Sequence, residues 1–176
     1  MDPRYPIGKF EKPAIITHEI RHQWITAIAI LPRQLQEIVR GMTEKELEST
    51  YRPGGWTIRQ IVHHIADSHI NCYCRFRLAL TEIHPVIKTY DQAAWAQLAD
   101  VRQEHVDVSL RLLSSLHTRW VTLLKSMDET AFERKFVHPE LGERTLNETT
   151  ALYAWHGLHH LAHIRIARGM AAHPRN

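Results

Sequence analysis

Four long stretches in which apolar residues recur every three or four positions constrain the fold of this chain more than any other feature. They run from about Thr17 to Arg40, from 57 to 82, from 105 to 127 and from 145 to 168. No long alternation of apolar and polar residues indicates a sheet core. Helices of this length bury their apolar faces best against one another, so the pattern predicts an all-α four-helix bundle.

Local signals predict where these helices begin and bend. Thr57 with Gln60, and Thr145 with Glu148, have the capping-box spacing that starts a helix. Pro32 lies inside the first stretch and predicts a kink or a break there. Shorter helices are predicted after Thr43 and near 91–98 and 128–136, with a loop or small hairpin around 138–142. The third stretch is predicted to bury one stripe, made of Val108, Leu112, Leu116, Trp120 and Leu123.

Length and composition limit the classes of protein to consider. With 176 residues, 44% of them hydrophobic, residues 1–176 are predicted to form a single domain, in which 1–14 is an extended N-terminal arm. The net charge of +3 comes without a dense basic block, which argues against nucleic-acid binding. No apolar run is long enough for a membrane span and no signal-peptide pattern follows Met1, so we expect a cytoplasmic protein.

The two cysteines, Cys72 and Cys74, lie two positions apart within a helical pattern. Their side chains therefore point about 200° apart, and a disulfide would require local unwinding. They are interpreted as small packing residues in a reducing compartment, although either could be a redox-sensitive thiol.

Histidine is unusually abundant, with 14 residues, and several lie in two short clusters. In the last helix, His156 and His160 are one turn apart, a spacing that lets two imidazoles share one metal ion. His159 and His163 form a competing pair with the same spacing, and the helical wheel leaves both possible with a preference for the first. Hydrogen-bonded core histidines or surface histidines are the alternative interpretation.

A third ligand is needed, because catalytic zinc sites usually take three protein ligands and keep one position open. His64 lies about 60° around its helix from Ile61, whereas His63 lies about 160° away. We therefore expect His64 to border the buried stripe and His63 to face solvent. Asp67, three residues after His64, could orient a ligand or act as a catalytic base.

The segments YRPGGWTIRQIVHHIADSHIN at 51–71 and ALYAWHGLHHLAHI at 151–164 closely resemble the YfiT-like branch of the DinB superfamily. YPIGKFE near the N-terminus, LALTE at 78–82 and HTRWVTLL at 117–124 look like the same branch. The resemblance implies a four-helix bundle with a metal bound by His64, His156 and His160. His163 stands where the family often has Gln, which leaves it as a possible polar group near the site.

Members of this branch are described as metal-dependent hydrolases, and relatives resemble transferases of bacillithiol or another low-molecular-weight thiol. Three functions follow for this chain. The first is metal-dependent thiol transfer to an electrophile, with Arg59, Arg75 or Arg165 as candidates for holding carboxylates of the thiol. The second is a metal-dependent hydrolase with Asp67 as base. The third is a non-enzymatic stress-response module with a structural metal, in which His159 or His163 would be the fourth ligand.

Three neutral nitrogens favour zinc, or nickel, over magnesium or calcium, at one ion per chain. Apolar residues of the arm, Tyr5, Ile7 and Phe10, together with the family resemblance, predict a homodimer. The alternative is that the arm packs on its own subunit. A small-molecule substrate is expected.

Overall fold

The structure is a computed structural model, and it describes residues 2–172. Four helices of more than 20 residues dominate it, which confirms the predicted all-α four-helix bundle. The elements follow in chain order as α1 (His18–Val39), α2 (Glu44–Leu47), α3 (Ile58–Thr81), α4 (Gln92–Trp95), α5 (Ala99–Gln103), α6 (Val106–Ser126), α7 (Glu129–Phe132), β1 (Lys135–His138), β2 (Gly142–Thr145) and α8 (Leu146–Ala167).

The four long helices are not arranged in simple sequence order around the bundle. Both α1 and α3 pack against α6 and against α8. Successive long helices α1 and α3 therefore lie diagonally across the bundle, as do α6 and α8. This arrangement places α3 between α6 and α8, so that two of its faces are covered by other helices.

Threonine caps start three of the long helices as the sequence predicted. The Thr17 hydroxyl accepts a hydrogen bond from the Ile20 backbone N–H, and Thr57 forms a complete capping box with Gln60. Thr145 accepts from the Glu148 backbone N–H, but the Glu148 carboxylate pairs with Lys12 instead of returning to the cap. The capping box predicted at this third site is therefore only half formed.

The break predicted at Pro32 does not occur, because α1 runs through it as one helix. Pro32 is buried in the bundle. Packing of α1 against α6 and α8 compensates for the one backbone hydrogen bond that a proline removes.

The buried stripe predicted for α6 is rotated from the one observed. Val108 and Leu112 are 43% and 44% exposed, whereas Ser109 and His117 are buried. Apolar residues lie on both sides of this helix, so their periodicity alone does not select the buried face. The observed buried face consists of Val106, Ser109, Leu110, Leu113, His117, Trp120 and Leu124.

The core has an aliphatic half and an aromatic half. The aliphatic half includes Leu35, Ile61 and Leu161, and the aromatic half includes Phe76 and Trp120. Four histidines lie along their helices between residues of the two halves, namely His69 on α3 and His156, His159 and His160 on α8. These four form a polar layer between the halves, whereas the other histidines of these helices, His63, His64 and His163, are flanked by residues of the aliphatic half.

Gly157 allows close approach of α8 to α1 beside this layer. A Cβ atom at Gly157 would lie 2.5 Å from Leu31 Cδ2, closer than side chains pack. Any larger residue would require either the Leu31 side chain or α8 itself to move.

The N-terminal arm runs along α8, from Pro3 beside His163 to Lys12 at Glu148, and a small hairpin directly precedes this helix. Residues 2–8 form two turns, closed by hydrogen bonds from Tyr5 N to Asp2 O and from Gly8 N to Tyr5 O, so the arm is not extended throughout as predicted. The hairpin of β1 and β2 is antiparallel and confirms the predicted turn region. In the part of the chain that the structure describes, none of the helices combines the length and the apolar character that crossing a membrane requires.

Candidate metal centre

His64 lies in the second turn of α3, and its side chain points towards α8. Its side chain is 4% exposed, and burial lowers its pKa to about 4. A buried imidazole with this pKa is neutral near pH 7, so it has a nitrogen lone pair available for a metal.

His156 and His160 lie one turn apart on α8 and face His64. The ring centroids are 5.4 Å apart for His64 and His156, 4.8 Å for His64 and His160, and 4.5 Å for His156 and His160. Burial, and the neighbouring histidines after it, lower the pKa of both α8 residues well below the ordinary value. The structure therefore brings together the three histidines that the sequence singled out, all in neutral form.

The spacing of these nitrogens fits a single metal ion. One ligand nitrogen from each of the three lies within 4.8 Å of the others, and His64 Nε2 is 3.3 Å from His156 Nε2. Two nitrogens bound to one tetrahedral zinc at about 2.0–2.1 Å would be roughly 3.3 Å apart. The donor set and this distance match what a three-histidine zinc site requires.

Aromatic rings enclose the three histidines at one end. The Trp56 ring centroid is 4.6 Å from that of His64 and 6.5 Å from that of His160. Tyr51 stacks on His163 with centroids 4.0 Å apart. Both aromatic residues belong to the turn before α3, so this turn limits the freedom of the rings that line the centre.

A second group of three histidines shares His160 with the first. His159, His160 and His163 also offer nitrogens within 4.8 Å of one another. However, His163 Nδ1 is 3.4 Å from His160 Nδ1, and His163 Nε2 is 3.2 Å from the carbonyl oxygen of Pro3. Both nitrogens of His163 are therefore engaged in hydrogen bonds, which favours His64, His156 and His160 as the metal-binding group.

His159 lies beside the centre without a polar partner on one nitrogen. Its ring stacks on Trp155 with centroids 4.4 Å apart, and burial lowers its pKa to about 4. Among residues 2–172, no hydrogen-bond partner is found for its buried Nδ1 atom. All four side chains of the two pairs lie in the bundle interior or border it, so burial does not separate the pairs and the preference for His156 and His160 stays a prediction.

The prediction that His63 faces solvent is wrong. His63 is 5% exposed, and its Nδ1 is 2.8 Å from Ser109 Oγ on α6. The cause is that α5 and the segment before α6 also pack on α3, and His63 Nε2 lies 3.3 Å from the Glu104 carbonyl oxygen. His63 nevertheless points away from the centre, so it remains separate from the candidate ligands.

Two histidines that the sequence analysis did not assign extend the centre inwards. His69 Nε2 is 3.3 Å from His156 Nδ1, and His69 Nδ1 is 2.9 Å from His117 Nε2. His117 Nδ1 in turn is 2.6 Å from the carbonyl oxygen of Ile28 on α1. His69 lies on the apolar stripe of α3, and a histidine on such a stripe requires a polar partner; that signal could have revealed it.

Asp67 is half-buried, and its pKa is raised to about 6, first by burial and then by the nearby charge of Asp100. Across the described residues, its carboxylate forms no hydrogen bond to a histidine ring. Asp67 is thus not placed as an orienting partner of His64, and only its raised pKa is in keeping with a proton-transfer role.

A cavity of about 520 Å³ opens beside the centre, and His156, His159 and His160 form part of its wall. Basic side chains contribute to the same wall, namely Lys12, Arg75, His138 and Arg144. The remaining wall is largely apolar and includes Phe136, Leu141, Leu152 and Trp155. Two arm residues, Phe10 and Lys12, close one side, so the arm packs on its own subunit.

Of the three arginines considered as anion ligands, only Arg75 lines this cavity. Arg59 is buried and forms ion pairs with Glu44 and Glu48. Arg165 lines a different and smaller pocket at the other side of α8.

Neither cysteine takes part in the cavity wall. Cys72 is buried, and burial raises the pKa of its thiol well above the ordinary value. This agrees with its interpretation as a packing residue, whereas Cys74 is exposed and does not pack in the core. A thiol nucleophile in this cavity would have to come from a small molecule.

Comparison with known proteins supports the same assignment. The sequence profile of the DinB superfamily matches residues 27–164. A Bacillus mycoides protein is 50% identical over 167 residues, covering 95% of this chain and 96% of the relative. A protein of Oceanobacillus iheyensis is 47% identical over 164 residues, covering 93% and 95%. Both relatives carry the name "Putative metal-dependent hydrolase".

Among solved structures, this chain is similar to YfiT from Bacillus subtilis, described as a probable metal-dependent hydrolase with an unusual four-helix bundle topology. The TM-score is 0.92 at 42% sequence identity, over 96% of this chain and 98% of YfiT. The chain therefore belongs to the YfiT-like branch of the DinB superfamily.

Proposed function

We propose that this protein is a metal-dependent enzyme that transfers a low-molecular-weight thiol, such as a bacillithiol-like compound, to an electrophilic substrate. The single observation that carries the proposal is the convergence of His64, His156 and His160, of which His156 and His160 line a cavity with basic side chains in its wall. The names of the relatives support metal dependence. The side chains of the cavity wall support the choice of thiol transfer.

The donor set favours zinc as the resident ion, with nickel as the alternative. Three neutral imidazoles suit borderline metals better than magnesium or calcium, which prefer oxygen ligands. When bound, the ion would act as a Lewis acid and lower the pKa of a thiol in its remaining coordination position.

The cavity wall is suited to an anionic thiol and an apolar electrophile. Arg75 and Arg144 supply positive charge, whereas the charge of Lys12 is balanced by its ion pair with Glu148. Phe136 and Leu152 provide apolar surface for the electrophile. Positioning both reactants in one cavity lowers the entropic cost of a bimolecular reaction.

Incubation of the untagged, zinc-loaded protein with a carboxylate-bearing thiol and a model electrophile tests this proposal. We expect thioether formation that a chelator abolishes and that zinc restores. Arg75→Gln should raise KM for the carboxylate-bearing thiol and leave KM for neutral 2-mercaptoethanol nearly unchanged. Arg165→Gln, outside the cavity, is the matched control. Chelator-insensitive or absent thiol transfer would overturn the proposal.

A hydrolase is the second candidate, and the names of the relatives favour it. Glu148 is a carboxylate in the cavity wall, and Asp67, with its pKa raised to about 6, is the proposed proton acceptor. A panel of esters and amides assayed with and without chelator, and with Asp67→Asn, tests it. Hydrolysis that falls at least tenfold in Asp67→Asn would favour the hydrolase over thiol transfer.

A non-enzymatic module with a closed structural metal is the third possibility considered. A closed site would need a fourth ligand from His159 or His163. Both His163 nitrogens have hydrogen-bond partners, which leaves His159, whose buried Nδ1 has none among residues 2–172, as the candidate fourth ligand of such a site.

The homodimer and the absence of nucleic-acid binding remain predictions. The arm residues that suggested a dimer pack on their own subunit, where the centroids of Phe10 and Trp155 are 5.9 Å apart. Light scattering at micromolar concentration tests the dimer, and a mass near 20.6 kDa would contradict it.

A further inference from the structure

A line of hydrogen bonds runs from a backbone carbonyl on α1 to the candidate ligand His156. It passes from Ile28 O to His117 Nδ1 at 2.6 Å, from His117 Nε2 to His69 Nδ1 at 2.9 Å, and from His69 Nε2 to His156 Nδ1 at 3.3 Å. His117 and His69 are 2% and 0% exposed. These two rings are therefore shielded from bulk water, and the neighbouring groups of the line are the hydrogen-bond partners of their nitrogens.

The carbonyl oxygen fixes the position of every proton along this line. Because a carbonyl only accepts, the proton of neutral His117 must be on Nδ1, and its Nε2 must accept. His69 then donates from Nδ1 and accepts at Nε2, so His156 donates from Nδ1. The lone pair of His156 is left on Nε2, the nitrogen that faces His64 at 3.3 Å.

A shorter line reaches His160 from the N-terminal arm. The Pro3 carbonyl accepts from His163 Nε2 at 3.2 Å, so the neutral His163 ring has its lone pair on Nδ1. His160 Nδ1, 3.4 Å away, must donate to that lone pair. His160 is thereby also left with its lone pair on Nε2.

We propose that His69, His117 and His163 are positioning residues that hold His156 and His160 in the Nδ1–H tautomer and so direct both Nε2 lone pairs to one metal ion. The two lines start at different backbone carbonyls, on α1 and on the arm, yet they impose the same tautomer on both α8 ligands. Histidine ligands that donate their other nitrogen to a partner are held in one orientation and made more basic. The inference rests on the proposed metal centre, but the tautomers themselves can be measured without metal.

Nitrogen-15 NMR of histidine-labelled, full-length protein tests the tautomers directly. We expect His69, His117, His156 and His160 to be protonated on Nδ1 and His163 on Nε2, in the metal-free and the zinc-loaded protein. Protonation of His117 or His156 on Nε2 would overturn the proposal, even if zinc binds normally. If the protein binds no zinc but shows this tautomer pattern, the proposed function fails and the proton arrangement stands.

Zinc affinity, measured by competition with a chelator, tests the consequence for the metal. His117→Phe removes the acceptor of His69 and lets His69 and His156 exchange tautomers, so we expect affinity to fall 10- to 100-fold. His63→Phe is the matched control, because His63 is a buried, hydrogen-bonded histidine on α3 outside both lines. Equal affinities of the two variants would contradict the proposal. If His117→Phe does not fold, the wild-type tautomers still decide the question.

Discussion

The two sides of α3 hold neighbouring histidines in different surroundings. On the side facing α6, His63 bonds to Ser109 and is 5% exposed. On the side facing α8, His64 is 4% exposed and meets two further histidines across the bundle. The burial of these neighbours is almost identical, so burial alone does not distinguish a candidate ligand from a structural residue.

The hydrogen-bond partners do make the distinction. The Nδ1 atom of His63 has a hydroxyl oxygen at 2.8 Å, which satisfies a neutral imidazole without any metal. His64 Nε2 instead faces His156 Nε2, whose lone pair is directed towards it by the line of protons from Ile28. If His64 carries its proton on Nδ1, two lone pairs face each other at this contact, and a cation between them removes their repulsion.

The largest expected effect is the loss of a proposed ligand on the α8 side. His156→Ala should weaken zinc binding by more than about 100-fold, beyond the range typical of outer partners, because two nitrogens remain. His64→Ala and His160→Ala should behave alike. Chelator competition measures this, and near wild-type affinity in any of the three would remove that residue from the metal centre.

The next effect is on the stability of the metal-free protein at acid pH. Burial lowers the pKa of His64 and His117 from 6.5 to about 4, so the unfolded chain binds more protons between these values. Stability should therefore be complete above pH 6.5 and fall as the pH drops towards 4. One such group accounts for about 2 kcal/mol between pH 7 and 5. Urea unfolding at both pH values measures it, and equal stability would contradict the burial of neutral histidines.

A smaller effect should separate His163 from His159. His163→Ala removes the acceptor of His160 Nδ1 and should weaken zinc binding by about tenfold, with one ion still bound at saturating zinc. His159→Ala should leave the affinity within about twofold. A severe loss of zinc in both variants would mean that the second group, His159, His160 and His163, holds the ion.

The smallest expected effect on the metal is that of His63→Ala. Zinc affinity should change by less than about twofold, while the free energy of unfolding falls by about 1–3 kcal/mol because Ser109 loses its buried partner. Measuring zinc affinity and the free energy of unfolding on this one variant separates an effect on metal binding from an effect on stability. A loss of zinc without loss of stability would contradict the assignment of the two sides of α3.

The sequence predicted those features of the structure that depend on contacts within one helical turn. It did not predict those that depend on which helices pack together. The caps at Thr17 and Thr57 require only contacts within one turn, and both occur. The buried face of α6 depends on which helices surround it, and apolar residues on both sides of α6 made the stripe through Val108 as plausible as the true one. His63 was misplaced for the same reason, because the wheel cannot show that α3 is covered on two sides.

For the site, spacing along α8 favoured His156 and His160, helical position favoured His64 as the third, and the family resemblance implied the same three. The structure brings these three together, while their role as ligands remains a proposal. His69 and His117 were missed because each interacts with residues more than 45 positions away in the chain, as in the contact 48 residues apart that joins them. A histidine on an apolar stripe is the one local sign of such a contact.

Anomalous diffraction from crystals of untagged, zinc-loaded protein tests the central claim most directly. The account predicts one zinc peak per chain, about 2.0–2.1 Å from a nitrogen of each of His64, His156 and His160. A peak between His159 and His163, or no peak in the bundle after reconstitution with zinc, would contradict it.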